Sequence, residues 1–183
     1  MDLTSYSLHR WAQLAAKGNA TALHFVFAEA TAVSDPLWRL VQGQQELFLS
    51  RSSATQSLGF ARNQLARITG ARGRGEKGRR PEYESAFGYD SKAGMHCLRL
   101  YLECIELMRF GTITLPRPEK DYLIEARSGA WTLERLLAET GRLDAEAEAS
   151  VLESRLPEVV DVGPISELVA RVTLEGWRER GGV

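Results

Sequence analysis

The sequence predicts a mainly α fold, a helical bundle with one or two short strands. Three observations predict it. Apolar residues recur at helical spacing, most regularly between Ser91 and Arg109. Helix start and stop residues flank those runs: Ser34-Asp35-Pro36 before one, Thr132 before another, Phe110-Gly111 after the longest. Alternating or extended patterns are confined to Asp2–Leu8 and Thr112-Ile113-Thr114-Leu115. At 183 residues with 44% hydrophobic content, residues 1–183 are expected to form a single helical domain with a real core.

Each element has its own signal. Asp2–Leu8 alternates and is expected as a short strand or an extended lead-in. Leu8 to Ala16 carries Leu8, Trp11, Ala12 and Ala15 on one helical face, and Lys17-Gly18-Asn19 stops it, with Gly18 as the left-handed C′ residue. Thr21–Glu29 is a second short helix. Pro36 opens a third that runs to about Phe48. Ser50-Arg51-Ser52-Ser53 begins a long helix through Leu58, Ala61, Leu65 and Ile68. Gly70–Glu84 holds Gly70, Gly73, Gly75, Gly78, Pro81 and five basic residues; it is expected to be a mobile basic loop without core contacts. Ser91–Arg109 is the central helix. Glu119–Ser128 and a helix from Thr132 to about Glu139 or beyond follow. Asp144–Ser154 continues helical, Leu156-Pro157 breaks it, and Pro164 opens a last amphipathic helix through Leu168, Val172 and Trp177.

Composition narrows the function. Lys and Arg number 23 against 24 Asp and Glu, so no global field favours nucleic acid and any anion site must be local. Cys97 and Cys104 stand two helical turns apart, roughly 10 Å, too far for a disulfide. They read as reduced core thiols of a cytoplasmic protein. The opening Met1-Asp2-Leu3-Thr4 lacks the regions of a signal peptide, and no apolar run approaches the ~20 residues of a membrane span, so no membrane partner is expected. Gly73–Gly78 matches Gly-x-Gly-x-x-Gly, but a helix precedes it and Arg79-Arg80-Pro81 follows, which argues against a dinucleotide site. No zinc-type spacing, nucleophile elbow or Walker sequence is present.

Lys92, His96 and Arg99 are the leading candidates. At i, i+4 and i+7 they share one helix face beside an apolar stripe of Met95, Leu98, Leu102 and Ile105. A guanidinium fork, an ammonium and an imidazole together suit a phosphate. The alternative pairs Arg99 with Glu103 and Lys92 with Asp90, leaving His96 as a buried helix residue.

Several segments together resemble one family. They are Asp2–Trp11, Lys17-Gly18-Asn19-Ala20-Thr21 (with Ala20 where the family has proline), Phe48-Leu49-Ser50-Arg51, Gly59-Phe60-Ala61, Tyr89–Lys92 with His96–Leu100, Phe110–Ile113 and Ser154–Pro157. In this order they resemble the C-terminal part of predicted nucleotidyltransferases of the DNA polymerase β superfamily, the group often found beside RNA ligases. The resemblance implies in-line attack of an acceptor hydroxyl on an NTP α-phosphate, with Mg²⁺. The family's Gly-Ser…Gly motif and Asp-x-Asp pair have no counterpart in this sequence. Asp2 would be the sole catalytic and metal-binding carboxylate, and one carboxylate cannot hold two Mg²⁺ ions. The resemblance therefore implies a helical half that is inactive by itself: half of a split enzyme, a truncated chain or a remnant. Lys92, His96 and Arg99 would face NTP phosphates or an RNA or nucleotide acceptor. Arg51 and Arg62 would widen the positive wall, and Lys17 and Asn19 would sit at a turn touching the nucleotide. Expected partners are NTP, an acceptor, and an N-terminal palm polypeptide or a second copy. The alternatives are a non-enzymatic interaction or oligomerisation module, or an RNA-binding protein using the Gly70–Glu84 arm.

Overall fold

A computed structural model of the chain describes residues 5–29, 35–70 and 81–181. Among the described residues the regular structure is entirely helical. The mainly α expectation holds, and the short strands do not form. Residues 5–7 are irregular, and Ser7 caps the first helix, α1 (Leu8–Ala16), its hydroxyl accepting from the Arg10 N–H at 3.2 Å. Thr112–Leu115 is not a strand because its polar groups are satisfied elsewhere. The Thr114 N–H and hydroxyl both donate to the Glu106 carboxylate, and Arg117 donates to Glu106 and, at 2.8 Å, to Glu119.

The chain resolves into two compact units, one of residues 1–53 with 156–183 and one of residues 54–155. In the first, α1 ends in a full Schellman turn: the Gly18 N–H donates to the Ala15 carbonyl at 2.8 Å and the Asn19 N–H to the Leu14 carbonyl at 3.0 Å. Gly18 takes φ +74°, and a Cβ there would lie 2.3 Å from the Ser53 Cα. Asn19 then caps α2 (Ala20–Phe27), its side-chain oxygen accepting from the Ala22 N–H at 3.0 Å. Asp35 caps α3 (Pro36–Gln42). The helix expected to reach Phe48 stops at Gly43, and a separate 3-10 helix covers Gln45–Phe48.

Trp11 is the anchor of this unit. Its ring is buried edge-on to Trp38 at 4.7 Å and against Phe48 at 5.0 Å, and its Nε1–H donates to the Ala22 carbonyl at 3.0 Å. The last helix, α9 (Val162–Glu179), starts earlier than expected because Asp161 caps it. Ile165, Leu168 and Val172 are buried on its inner face, and it packs on α1, α3 and the 3-10 helix. The Arg51 and Ser52 N–H groups donate to the Pro157 and Glu158 carbonyls at 2.8 and 3.0 Å. These bonds join two segments that are far apart in sequence, and both carry the family resemblance.

The second unit is built round α6 (Ser91–Phe110), which Asp90 caps through the Ala93 N–H at 2.9 Å. It packs on α5 (Pro81–Phe87), α7 (Lys120–Arg127) and, over the greatest length, α8 (Leu133–Glu153). Gly94 permits this last approach, since a Cβ there would lie 2.7 Å from a Leu136 methyl. The core is Leu98, Tyr101, Leu136, Leu143 and Ala147. Residues 71–80 lie outside the described residues, and the loop expected through Glu84 gives way at Pro81 to α5. α8 is one continuous helix where two helical stretches were expected. α4 (Ser52–Ile68) has the expected extent. Cys97 and Cys104 are free and buried, as expected, and burial pushes both thiols up to about 12. No helix among the described residues is long and apolar enough to cross a membrane.

Candidate functional site

The face of α6 that is only partly buried carries Lys92, Met95, His96, Arg99, Leu102 and Glu106. The core stripe instead runs through Ala93, Gly94, Cys97, Leu98, Tyr101, Cys104, Ile105 and Met108. Met95 and Leu102, expected on the buried stripe, therefore share the outward face with the cationic residues. Gly94 lets α8 approach the core side of the helix.

Two of the three candidates interact directly. An Arg99 Nη2–H donates to His96 Nδ1 at 2.9 Å. A guanidinium only donates, so Nδ1 is the acceptor and the imidazole carries its proton on Nε2. Arg99 Nε also lies 3.6 Å from a Glu103 oxygen, and the Glu103 side chain is only 4% exposed. The Arg99–Glu103 pairing weighed in the sequence is present, and it neutralises part of the face. Asp90 is engaged in capping α6. Phe60, on α4, stands edge-on to His96, with ring centroids 5.4 Å apart and planes at 82°. It is 46% exposed. The sequence reading did not place Phe60 in the site. The signal for it was there: Phe60 falls off the Leu58, Ala61, Leu65, Ile68 stripe, so a large apolar ring is left facing outward.

Arg62 is held by acids of α8. Its Nε donates to both Asp144 oxygens at 2.9 and 3.2 Å, and its Nη2 donates to Glu148. This pairing offsets its charge, so it adds little to a positive wall. Lys17 is the exposed C-cap of α1, and the Asn19 side chain is occupied with capping α2. Arg51 is half-buried; its Nε is shut off from solvent and has no hydrogen-bond partner among the described residues. Lys17, Asn19 and Arg51 belong to the first unit, and Arg62, Lys92, His96 and Arg99 to the second.

Asp2 lies outside the described residues. Among the described residues no three His, Cys, Asp or Glu side chains gather as a metal site. The described donor set therefore does not fit a Mg²⁺ pair, and no catalytic step through metal follows from it. A second polar cluster, Tyr122–Glu139–Arg142–Glu146, lies on α7 and α8. Tyr122 donates to Glu139 at 2.9 Å, and Arg142 bridges Glu139 and Glu146 at 2.7 and 2.8 Å. Arg135 lies over the Trp131 ring at 4.1 Å. The Tyr122–Glu139 bond ties α7 to α8, and the Arg142 pairs lie within α8.

No curated protein matches the chain, and no solved structure matches it. A family model described as the RNA repair pathway DNA polymerase beta family matches residues 1–159, and its span takes in α1 through α8 with both sides of the 51–157 backbone pairing. The match covers most of the 183 residues, and the chain belongs to that family.

Proposed function

We propose that this chain is the helical half of a polymerase-β-like nucleotidyltransferase, helping to bind NTP and an RNA or nucleotide acceptor. The paired carboxylates that hold Mg²⁺ would come from a palm outside the described residues, whether in the same or another polypeptide. The observation that carries the reading is the fold within its family. The described residues form helices only and gather no metal-binding acids, so nothing among them stands for a strand-borne Asp-x-Asp pair. In this reading Lys92 supplies a point charge to phosphate, and Arg99 holds the His96 imidazole in one tautomer on the same helix face. Asp2, if it approaches the palm, would add one carboxylate.

Binding of labelled NTP and of a short RNA tests this, with and without Mg²⁺. The expected result is measurable binding that weakens several-fold in Lys92→Ala, and nucleotidyl transfer only when a palm polypeptide is added. Absence of binding to both ligands, with no transfer on adding the palm, would overturn it. A tight homodimer under those conditions would favour the interaction module. The observation favouring that second reading is the exposed Trp177, 64% open on α9 with Leu174 one turn before it.

A further inference from the structure

We propose that Phe60, with His96 and Arg99 behind it, is a stacking platform for an unpaired base of single-stranded RNA, and that Lys92 meets the adjoining phosphate. The inference rests on the reading above that this face of α6 receives a nucleic acid, and it names how.

The argument starts from charge. Three cations on or beside one face would suggest binding by phosphate neutralisation. The structure removes most of that field. Arg62 is bonded to Asp144 and Glu148, and Arg99 faces the carboxylate of Glu103. Among these groups only Lys92 adds an uncompensated positive charge, beside the capping carboxylate of Asp90. Among the described residues the charges of this face largely cancel, so affinity there needs a second source.

Phe60 provides it. Its ring is nearly half exposed, on a helix whose apolar stripe does not include it. It is held in place by the perpendicular His96 ring, and that ring is fixed in turn by the Arg99 guanidinium. An aromatic, an imidazole and a guanidinium in sequence form an array of π-faces and edges, the kind of surface on which unpaired bases stack. Every base has a π-face, so the platform would be tolerant of sequence. A purely apolar protein partner would instead leave the Arg99 fork to be desolvated at its edge.

Fluorescence anisotropy with a labelled RNA oligonucleotide and an abasic strand of equal length tests the proposal. Phe60→Ala is expected to weaken RNA binding about 5- to 150-fold and to change abasic binding less than about twofold. Phe60→Leu keeps apolar bulk without a π-face and should behave like Phe60→Ala, whereas Phe60→Trp should restore binding. Thermal melting of each variant checks that the fold is retained. The logarithmic salt slope should be shallow, about −0.7 to −1.4, as one or two phosphate contacts on a single strand give. Equal loss on RNA and abasic strands, no loss on RNA, or a steep salt slope would overturn the platform. Lys92→Ala keeps the two readings apart: if it weakens binding while Phe60→Ala does not, the platform falls and the nucleotide-binding role stands. If the chain binds neither RNA nor NTP, both fall.

Discussion

Gly18 shows how much one residue decides. At φ +74° an L side chain is strained, and a Cβ there would sit 2.3 Å from the backbone of Ser53, which cannot swing aside as a flexible side chain would. Gly18→Ala is expected to lower stability by at least about 2 kcal/mol, read as a drop in the urea midpoint. Two residues on, the effect reverses. Ala20 is the first helical residue of α2, a position whose N–H has no partner within the helix. Asn19 before it has φ −64° and ψ 115°, which suits a residue preceding proline. Ala20→Pro should therefore raise stability by about 0.4–1 kcal/mol in the same urea titration, by restricting the unfolded chain. A lowered midpoint would mean that the turn needs that N–H.

At the scale of elements, the segment after α6 is shaped by one carboxylate. Burial of Glu106 by itself would raise its pKa. Hydrogen bonds from Thr114 and Arg117 outweigh that and hold the group below the ordinary glutamate range. The stabilisation is fully present above the unfolded glutamate value, near 4.3, and is lost as pH falls through the lower folded value. Stability measured by denaturant between pH 6 and 3 should therefore decline at the acid end, and Glu106→Gln should flatten part of that decline. At neutral pH the same substitution leaves Arg117, only 7% exposed, with Glu119 as its remaining acid. The expected cost is near the low end of the roughly 3–5 kcal/mol seen when one member of a buried pair is removed. A variant as stable as the parent at pH 7 would show that the cluster does not hold the segment. The long helices tell a related story. α8 passes through Gly141 unbroken because nothing crowds that residue and Leu136, Leu143 and Ala147 are buried along the same helix. A solvent-facing glycine costs about 1 kcal/mol against alanine, less than the burial of one of those leucines.

For the whole molecule, the family match ends at residue 159, but the first unit does not. Ile165, Leu168 and Val172 of α9 are buried against it, at about 1.5–3 kcal/mol each. Their sum, about 4.5–9 kcal/mol, is comparable to the lower part of the roughly 5–15 kcal/mol stability of an ordinary domain. Deleting residues 162–183 should therefore unfold the Trp11–Trp38–Phe48 cluster. Near-ultraviolet circular dichroism should fall, and hydrogen exchange in α1 should lose protection. Retained exchange protection in α1 would show that α9 is an accessory.

The mainly α class, the Lys17-Gly18-Asn19 stop, the caps before Pro36 and at Thr132, and the central helix at Ser91–Arg109 were legible in the sequence. They depend on contacts within a few residues, where backbone conformation and capping chemistry act. The order of short family segments was legible for a similar reason, since each is a local pattern. Only the tertiary structure decided which charges are spent and which rings meet. Arg62 finds its acids 82 and 86 residues away, Phe60 reaches His96 from a different helix, and Arg51 pairs with the chain as it returns at Pro157. Those outcomes depend on which helix faces close against each other, and residues a hundred positions apart carry no local signal of that choice.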